Sequence, residues 1–272
     1  MSRLKIILSY LVGLLLSFAL LVLVLLLVVK KTIIDRPFVD RVIEENNYYT
    51  NVYERIKENV SDYMMSSGLD ESVLDGVIVE ENVKKDITGF IDGIYKGKVY
   101  NVDTSNMESI LRNNIDAYLK KHNLGLDSTS ELDMFISDIG KIYKNEINLY
   151  DMVNGLVPRV VKYTNIIVNV IRVDSVIVGV LIILMIILGF VNVGSSVLSS
   201  GISIILLRLF VFERIDSDNI LIISDNFSLI LRSIMKYFNE YLFEVGVILI
   251  IIGFILSLFK KRNKNIEKKV SN

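Results

Sequence analysis

Residues 6–29 read IILSYLVGLLLSFALLVLVLLLVV, a run without a single charged side chain. A bilayer core about 30 Å thick takes roughly 20 apolar residues as a helix, because every backbone polar group must be satisfied inside the segment. The run is therefore a membrane span, and the rest of the chain is read outward from it. Three later stretches have the same character, at 175–193, 196–212 and 243–259. The overall composition agrees: of 272 residues 52% are hydrophobic, and the mean hydropathy is +0.49. Residues 30–173, between the first and second spans, have the charge density of a water-exposed domain, with 23 acidic against 18 basic side chains.

Orientation follows the basic flanks, since Lys and Arg near span ends are retained in the cytoplasm. Arg3 and Lys5 precede the first span, and Lys260, Lys261, Arg262, Lys264, Lys268 and Lys269 follow the last. Both termini are then cytoplasmic, which requires an even number of spans. Lys30, Lys31 and Arg172 are opposing signals that the C-terminal cluster outweighs. The first span is expected to be an uncleaved anchor, because its apolar run exceeds the roughly 7–15 residues of a signal-peptide core and no A-x-A-like site follows. From 175 to 212 the chain is too long for one crossing, so a reversal is expected near 192–196, where Asn192 and Gly194 tolerate left-handed backbone.

The expected fold is thus all-α: an integral membrane protein with about four transmembrane helices and an extracytoplasmic helical bundle between spans one and two. Its segments are a cytoplasmic N-terminus (1–5), spans at 6–29, 174–194, 195–213 and 242–259, an outer domain (30–173), a short outer amphipathic segment (214–241) and a basic cytoplasmic tail (260–272). In the outer domain apolar residues recur at three and four, the helical period. Tyr48, Val52, Tyr53, Ile56, Val60 and Tyr63 form one stripe; Val83, Ile87, Phe90, Ile91, Ile94 and Tyr95 form a second that Gly97 stops. Ile110, Leu111, Ile115 and Leu119 follow a capping box predicted at Ser105 to Glu108. The last stripe is Leu132, Phe135, Ile136, Ile139, Ile142 and Tyr143. Pro37 is placed to start a helix and Pro158 to kink or restart one. About five helices result. In the later segment, Phe227, Leu231, Ile234, Met235 and Phe238 share a face that Ser224 or Asp225 would cap.

Chemistry-bearing motifs are few. With no cysteine, disulfides, thiolate zinc sites and thiol nucleophiles are excluded. His122 is the only histidine, which rules out multi-histidine metal sites; beside Lys120 and Lys121 it reads as a solvated helix end. Phosphate-loop, G-x-S-x-G and dinucleotide fingerprints are missing, and no basic groove-binding patch points to nucleic acid. No cofactor is expected. Arg208 is the only charged residue well inside a span as drawn, and Glu244, at comparable depth, is its expected ion-pair partner. Ser196, Ser199, Ser200 and Gly201 have the small-residue spacing that lets helices approach closely in lipid, as do Gly246 and Gly253.

Three stretches, NNYYTNVYERIKENV (46–60), SGLDESVLDGVIVEENVKKDITGFIDGIYKGK (67–98) and GVILIIIGFILSLFKKRNK (246–264), carry a resemblance. The chain resembles uncharacterised multi-span membrane proteins of low-GC Gram-positive bacteria. The resemblance implies an outer helical domain on a few spans and brings no activity or site residues. The expected function is that of a non-enzymatic protein of the plasma membrane whose outer domain binds or scaffolds another envelope protein, with the lipid bilayer as its other partner. A subunit of a transporter or channel is the alternative, and a membrane enzyme acting on lipid or peptide lacks any clustered nucleophile and base.

Overall fold

The structure, a computed structural model, describes residues 3–65, 67–125, 129–148, 157–188, 193–212 and 225–270. Among these there is no strand, and nine α-helices follow one another: α1 Arg3–Val29, α2 Arg36–Glu45, α3 Tyr48–Met65, α4 Glu80–Lys96, α5 Ser105–Lys121, α6 Thr129–Asn148, α7 Val157–Ile187, α8 Val193–Leu207 and α9 Asp225–Val270. Four helical segments are long and apolar enough to cross a membrane: Arg3–Ile34, Arg159–Ile187, Val193–Phe212 and Ser228–Leu258. The first and third end in single π-helical turns, Lys30–Ile34 and Arg208–Phe212.

The helices outrun the boundaries drawn from hydropathy. The second crossing helix starts at Val157, with Pro158 in its first turn, where a missing N–H costs nothing. Its apolar character begins at Ile166, well before the charged pair Arg172 and Asp174 that set the boundary in the sequence. The later amphipathic segment and the last span are one continuous helix, α9. The expected caps and reversal fall partly outside the described residues: 189–192 and 213–224 are not described, while Val193 to Ser196 are already helical.

The chain divides into two compact units, Met1–Val39 with Thr164–Ile222 and Leu231–Asn272, and Asp40–Tyr163 with Ile223–Ile230. In the first unit, Val12, Leu16, Ala19, Val178 and Met185 form one buried cluster, with Val193 packed against it. Val24, Val28, Ile204, Phe238 and Leu242 form another. Residue numbers rise together on α1 and α8 between these clusters, so the two helices run parallel. Phe38 meets Tyr237 edge-on at 5.5 Å, and Phe212 meets Phe238 at 5.0 Å.

The second unit is a bundle built as its periodicity predicts. Tyr48, Val52, Ile56 and Val60 of α3, Val83 and Ile87 of α4, Leu111 and Ile115 of α5, and Leu132, Ile136, Ile139 and Tyr143 of α6 are buried. α3 and α6 are joined by a polar clasp: Arg55 Nε donates to Glu146 Oε2 at 2.7 Å and Asn59 Nδ2 to Glu146 Oε1 at 3.0 Å. Asn114 of α5 ties down the turn Glu71–Leu74 by donating to the Val73 and Asp75 carbonyls, each at 2.9 Å. His122 is the C-cap of α5, its ring 4.5 Å from that of Tyr118.

The predicted capping box does not form. Thr104, not Ser105, precedes α5, and its hydroxyl donates to Glu108 Oε1 at 2.6 Å. Ser105 instead donates to Asp103 Oδ1 from both its N–H (3.0 Å) and its hydroxyl (2.7 Å). Ser105 lies inside the helix with Asp103 as its acceptor, and the residue three beyond Thr104 is Met107, so neither position completes the box.

Candidate functional site

In the second unit the chain leaves α4 and turns straight back along it. Gly97 takes φ 68°, and Lys98 N–H donates to the Gly93 carbonyl at 2.8 Å, the 6→1 bond of a Schellman end. The returning strand of chain lies on α4 only because two positions there carry no side chain. A Cβ on Gly93 would stand 2.5 Å from the Lys98 carbonyl oxygen, and one on Gly89 would stand 2.6 Å from Tyr100 Cζ. Asp86 precedes Gly89 by three residues and shares their helix face. The Tyr100 hydroxyl therefore reaches Asp86 and donates to its Oδ1 at 2.8 Å.

A second tyrosine arrives from α6. Tyr143 donates to Asp86 Oδ2 at 2.7 Å. Three residues earlier, Gly140 lets the start of α5 approach, since a Cβ there would strike the Glu108 carboxylate and lie 3.3 Å from Thr104 Oγ1. Where α4, the 98–104 segment, α5 and α6 converge, they enclose a cavity of about 250 Å³. Its inner wall holds buried Tyr143 and Thr104, and half-buried Asp86 and Tyr100; exposed Lys85, Asn82, Asn101 and Asn106 line it further out. Among the described residues no lysine or arginine is paired with Asp86.

The carboxylate leaves a mark on its tyrosines. Burial, and then the hydrogen bond to Asp86, push Tyr100 up to about 12 and Tyr143 up as well. Burial alone dominates at Tyr48, which is also pushed up to about 12. A raised tyrosine value in the folded state stabilises fully below the unfolded value of 10.0 and is lost as pH rises through about 12. The chain has no tryptophan, so its near-ultraviolet absorbance reports tyrosine ionisation alone. Alkaline titration is expected to show exposed tyrosines ionising first, followed by a late step coincident with loss of helix; one uniform step near 10 with helix intact would contradict the clamp.

The residues singled out in the sequence lie in the first unit and separate there into three groups. Gly201 faces α9: a Cβ on it would stand 2.7 Å from the Gly246 carbonyl oxygen, and one on Gly194 would stand 2.7 Å from the Ser257 nitrogen. Ser200 is fully buried and satisfies itself by donating to the Val197 carbonyl at 2.7 Å. Ser196 and Ser199, with Ser195 and Ser203, line a groove of about 510 Å³ against Tyr10, Gly13 and Ser17 of α1. Arg208 sits in the π-turn with its guanidinium carbon 5.1 Å from the centre of the Phe243 ring. Glu244 is exposed and is not its ion-pair partner, and the guanidinium makes a cation–π contact with Phe243.

Two polar features were not found from the sequence. Arg208 is not the sole charge within a crossing helix, because α7 contains Asp174, 8% exposed, with Oδ2 buried and unpartnered. The cavity around Asp86 is not legible in the sequence either, because Tyr143 falls on the apolar stripe of its helix like any core residue. The D-x-x-G-x-x-x-G spacing of Asp86, Gly89 and Gly93 was the available signal. Among the described residues no cluster of three His, Asp or Glu is placed to hold a metal ion. No family model, curated protein or solved structure matches the chain.

Proposed function

We propose that the chain is a non-enzymatic multi-pass protein of the plasma membrane, with both termini in the cytoplasm, that holds its second unit outside the cytoplasm to bind and scaffold another envelope protein. The observation that carries this reading is the second unit itself: α3 to α6, with the end of α2, include a buried core of their own, and α4, α5, α6 and the 98–104 segment line a polar cavity. Helix directions in the first unit support the topology. α1 and α8 run parallel, while Gly194 and Gly201 of α8 meet Gly253 and Gly246 of α9 in the reverse order, so α8 and α9 run antiparallel. The glycine seam supports a supporting rather than a conducting membrane unit, because its small residues bring backbones together. A transporter or channel subunit is the second reading, favoured by the serine-lined groove between α1 and α8.

The absence of native cysteine makes the test direct. Lys98→Cys, at an exposed position, and Lys264→Cys, in the basic tail, are introduced singly into the full chain. An impermeant maleimide on intact cells is expected to label the first and spare the second until the membrane is permeabilised. A maleimide–benzophenone at Lys98→Cys is expected, after illumination, to give a discrete protein adduct. The reverse labelling pattern would overturn the topology, and labelling without an adduct there or at Val99→Cys and Val79→Cys would overturn partner binding.

A further inference from the structure

We propose that the cavity around Asp86 binds a small zwitterionic amino acid, with the ligand ammonium on Asp86 and its carboxylate toward Lys85; this deepens the reading of the second unit as a binding module. The charge arrangement carries the inference. Asp86 is half-buried, its two oxygens each accept one tyrosine hydroxyl, and no cation neutralises it among the described residues. A partly desolvated carboxylate held by two neutral donors favours a cation, and a hydrogen bond to an ammonium is the strong, charge-assisted kind. Each tyrosine oxygen retains acceptor capacity after donating to Asp86, so an ammonium with three donors finds three acceptors converging from α4, the 98–104 segment and α6.

The outer part of the cavity has the opposite character. Lys85 is exposed and in no ion pair among the described residues, and Asn82, Asn101 and Asn106, whose neutral amides can donate, line the same cavity. Asp103 also lines this part; its Oδ1 accepts from Ser105 and the side chain keeps its charge, so the ligand carboxylate is directed to Lys85 and the amides, away from it. A carboxylate on the inner wall and an unpaired lysine further out match a molecule that carries an ammonium and a carboxylate a few bonds apart. The volume, about 250 Å³, lies just below the roughly 300–1,000 Å³ of drug-sized sites and suits a metabolite of this class. A bare amine would leave Lys85 and the amides without a role, and a bare carboxylate would meet Asp86.

The full chain in detergent is screened by thermal shift against the twenty standard amino acids, and the best binder is titrated calorimetrically beside ethylamine and propionate. Saturable binding is expected for at least one amino acid, weaker binding for ethylamine and none for propionate. Asp86→Asn keeps an acceptor for a tyrosine but loses the charge, and should weaken the amino acid by about tenfold or more. Lys85→Gln, at an exposed position in no ion pair among the described residues, should bring the amino acid down to the level of ethylamine while leaving ethylamine unchanged. Propionate binding as well as the amino acid, unchanged affinity in Lys85→Gln, or no response to any of the twenty would each overturn the inference. A chain that fails here but still gives the benzophenone adduct loses this ligand and keeps its partner.

Discussion

Alanine at Gly253 is expected to destabilise the first unit by about 3 kcal/mol or more, at or beyond the upper end of ordinary overpacking. The new methyl group would run into the backbone nitrogen of Leu198 and stand 2.7 Å from its Cα. Neither atom can rotate away, so α8 and α9 must separate. Separation is not local. Gly194 lies against Ser257, and Gly201 against Gly246 and Ile250, along the same seam, and dispersion contacts weaken steeply with a gap of even half an ångström to an ångström. Helices packed within a bilayer have no hydrophobic effect between them to fall back on. Gly179→Ala is the control, since nothing lies within 4 Å of a Cβ built there. Thermal unfolding in detergent should leave the control unchanged and lower the midpoint of Gly253→Ala sharply; equal midpoints for the two variants would mean that the seam is not close-packed.

This contrast shows what periodicity reveals and what it cannot. The seven-residue spacing of Gly246 and Gly253 is visible in a line of text, as is the clustering of small residues on α8. Which helix lies against which is not visible, because identity of partners is a property of the folded bundle. The same limit explains the second unit. Buried positions such as Val52, Ile56 and Val60, or Ile136, Ile139 and Tyr143, repeat at three and four, so a helical bundle follows from one-dimensional pattern. The cavity needed residues 14 and 57 positions away from Asp86 to be brought to it, and a tyrosine that packs on one edge while donating from the other reads as core.

Charge near a boundary misled in a second way. Arg172 and Asp174 interrupt an apolar run, and a window that penalises charge ends there. The helix does not. Six apolar residues between Ile166 and Val173 continue it, and Asp174 is enclosed within α7's packing with one oxygen unsatisfied. Conversely, Arg208 and Glu244 were paired because their depths matched, yet the side chain of Arg208 turns to the Phe243 ring instead. Depth along a span is readable from sequence; azimuth around a helix is readable only relative to a known neighbour.

Glu146→Ala is expected to cost the second unit about 2–3 kcal/mol, somewhat less than the roughly 3–5 kcal/mol lost when one partner of a fully buried ion pair is removed. The side chains of Arg55 and Glu146 keep 26% and 19% of their exposure, so water offsets part of the loss. The remainder is large because the single carboxylate serves two donors on α3, Arg55 and Asn59, and both are left without it. The pair Lys96 and Asp92, with 67% and 42% exposure, is the comparison: its removal should change stability by about 0.3 kcal/mol. A combined Arg55→Met and Glu146→Leu replacement should recover most of the deficit, because no charge is then left half-buried. The consequence reaches the cavity, since Tyr143 lies one turn before Glu146 on α6 and depends on α6 being held in register. Urea titrations of the full chain in detergent would show a lowered midpoint for Glu146→Ala with recovery in the double replacement. If Glu146→Ala and Asp92→Ala had the same midpoint, the clasp would contribute no more than a surface pair, and the position of Tyr143 would rest on the apolar face of α6 alone.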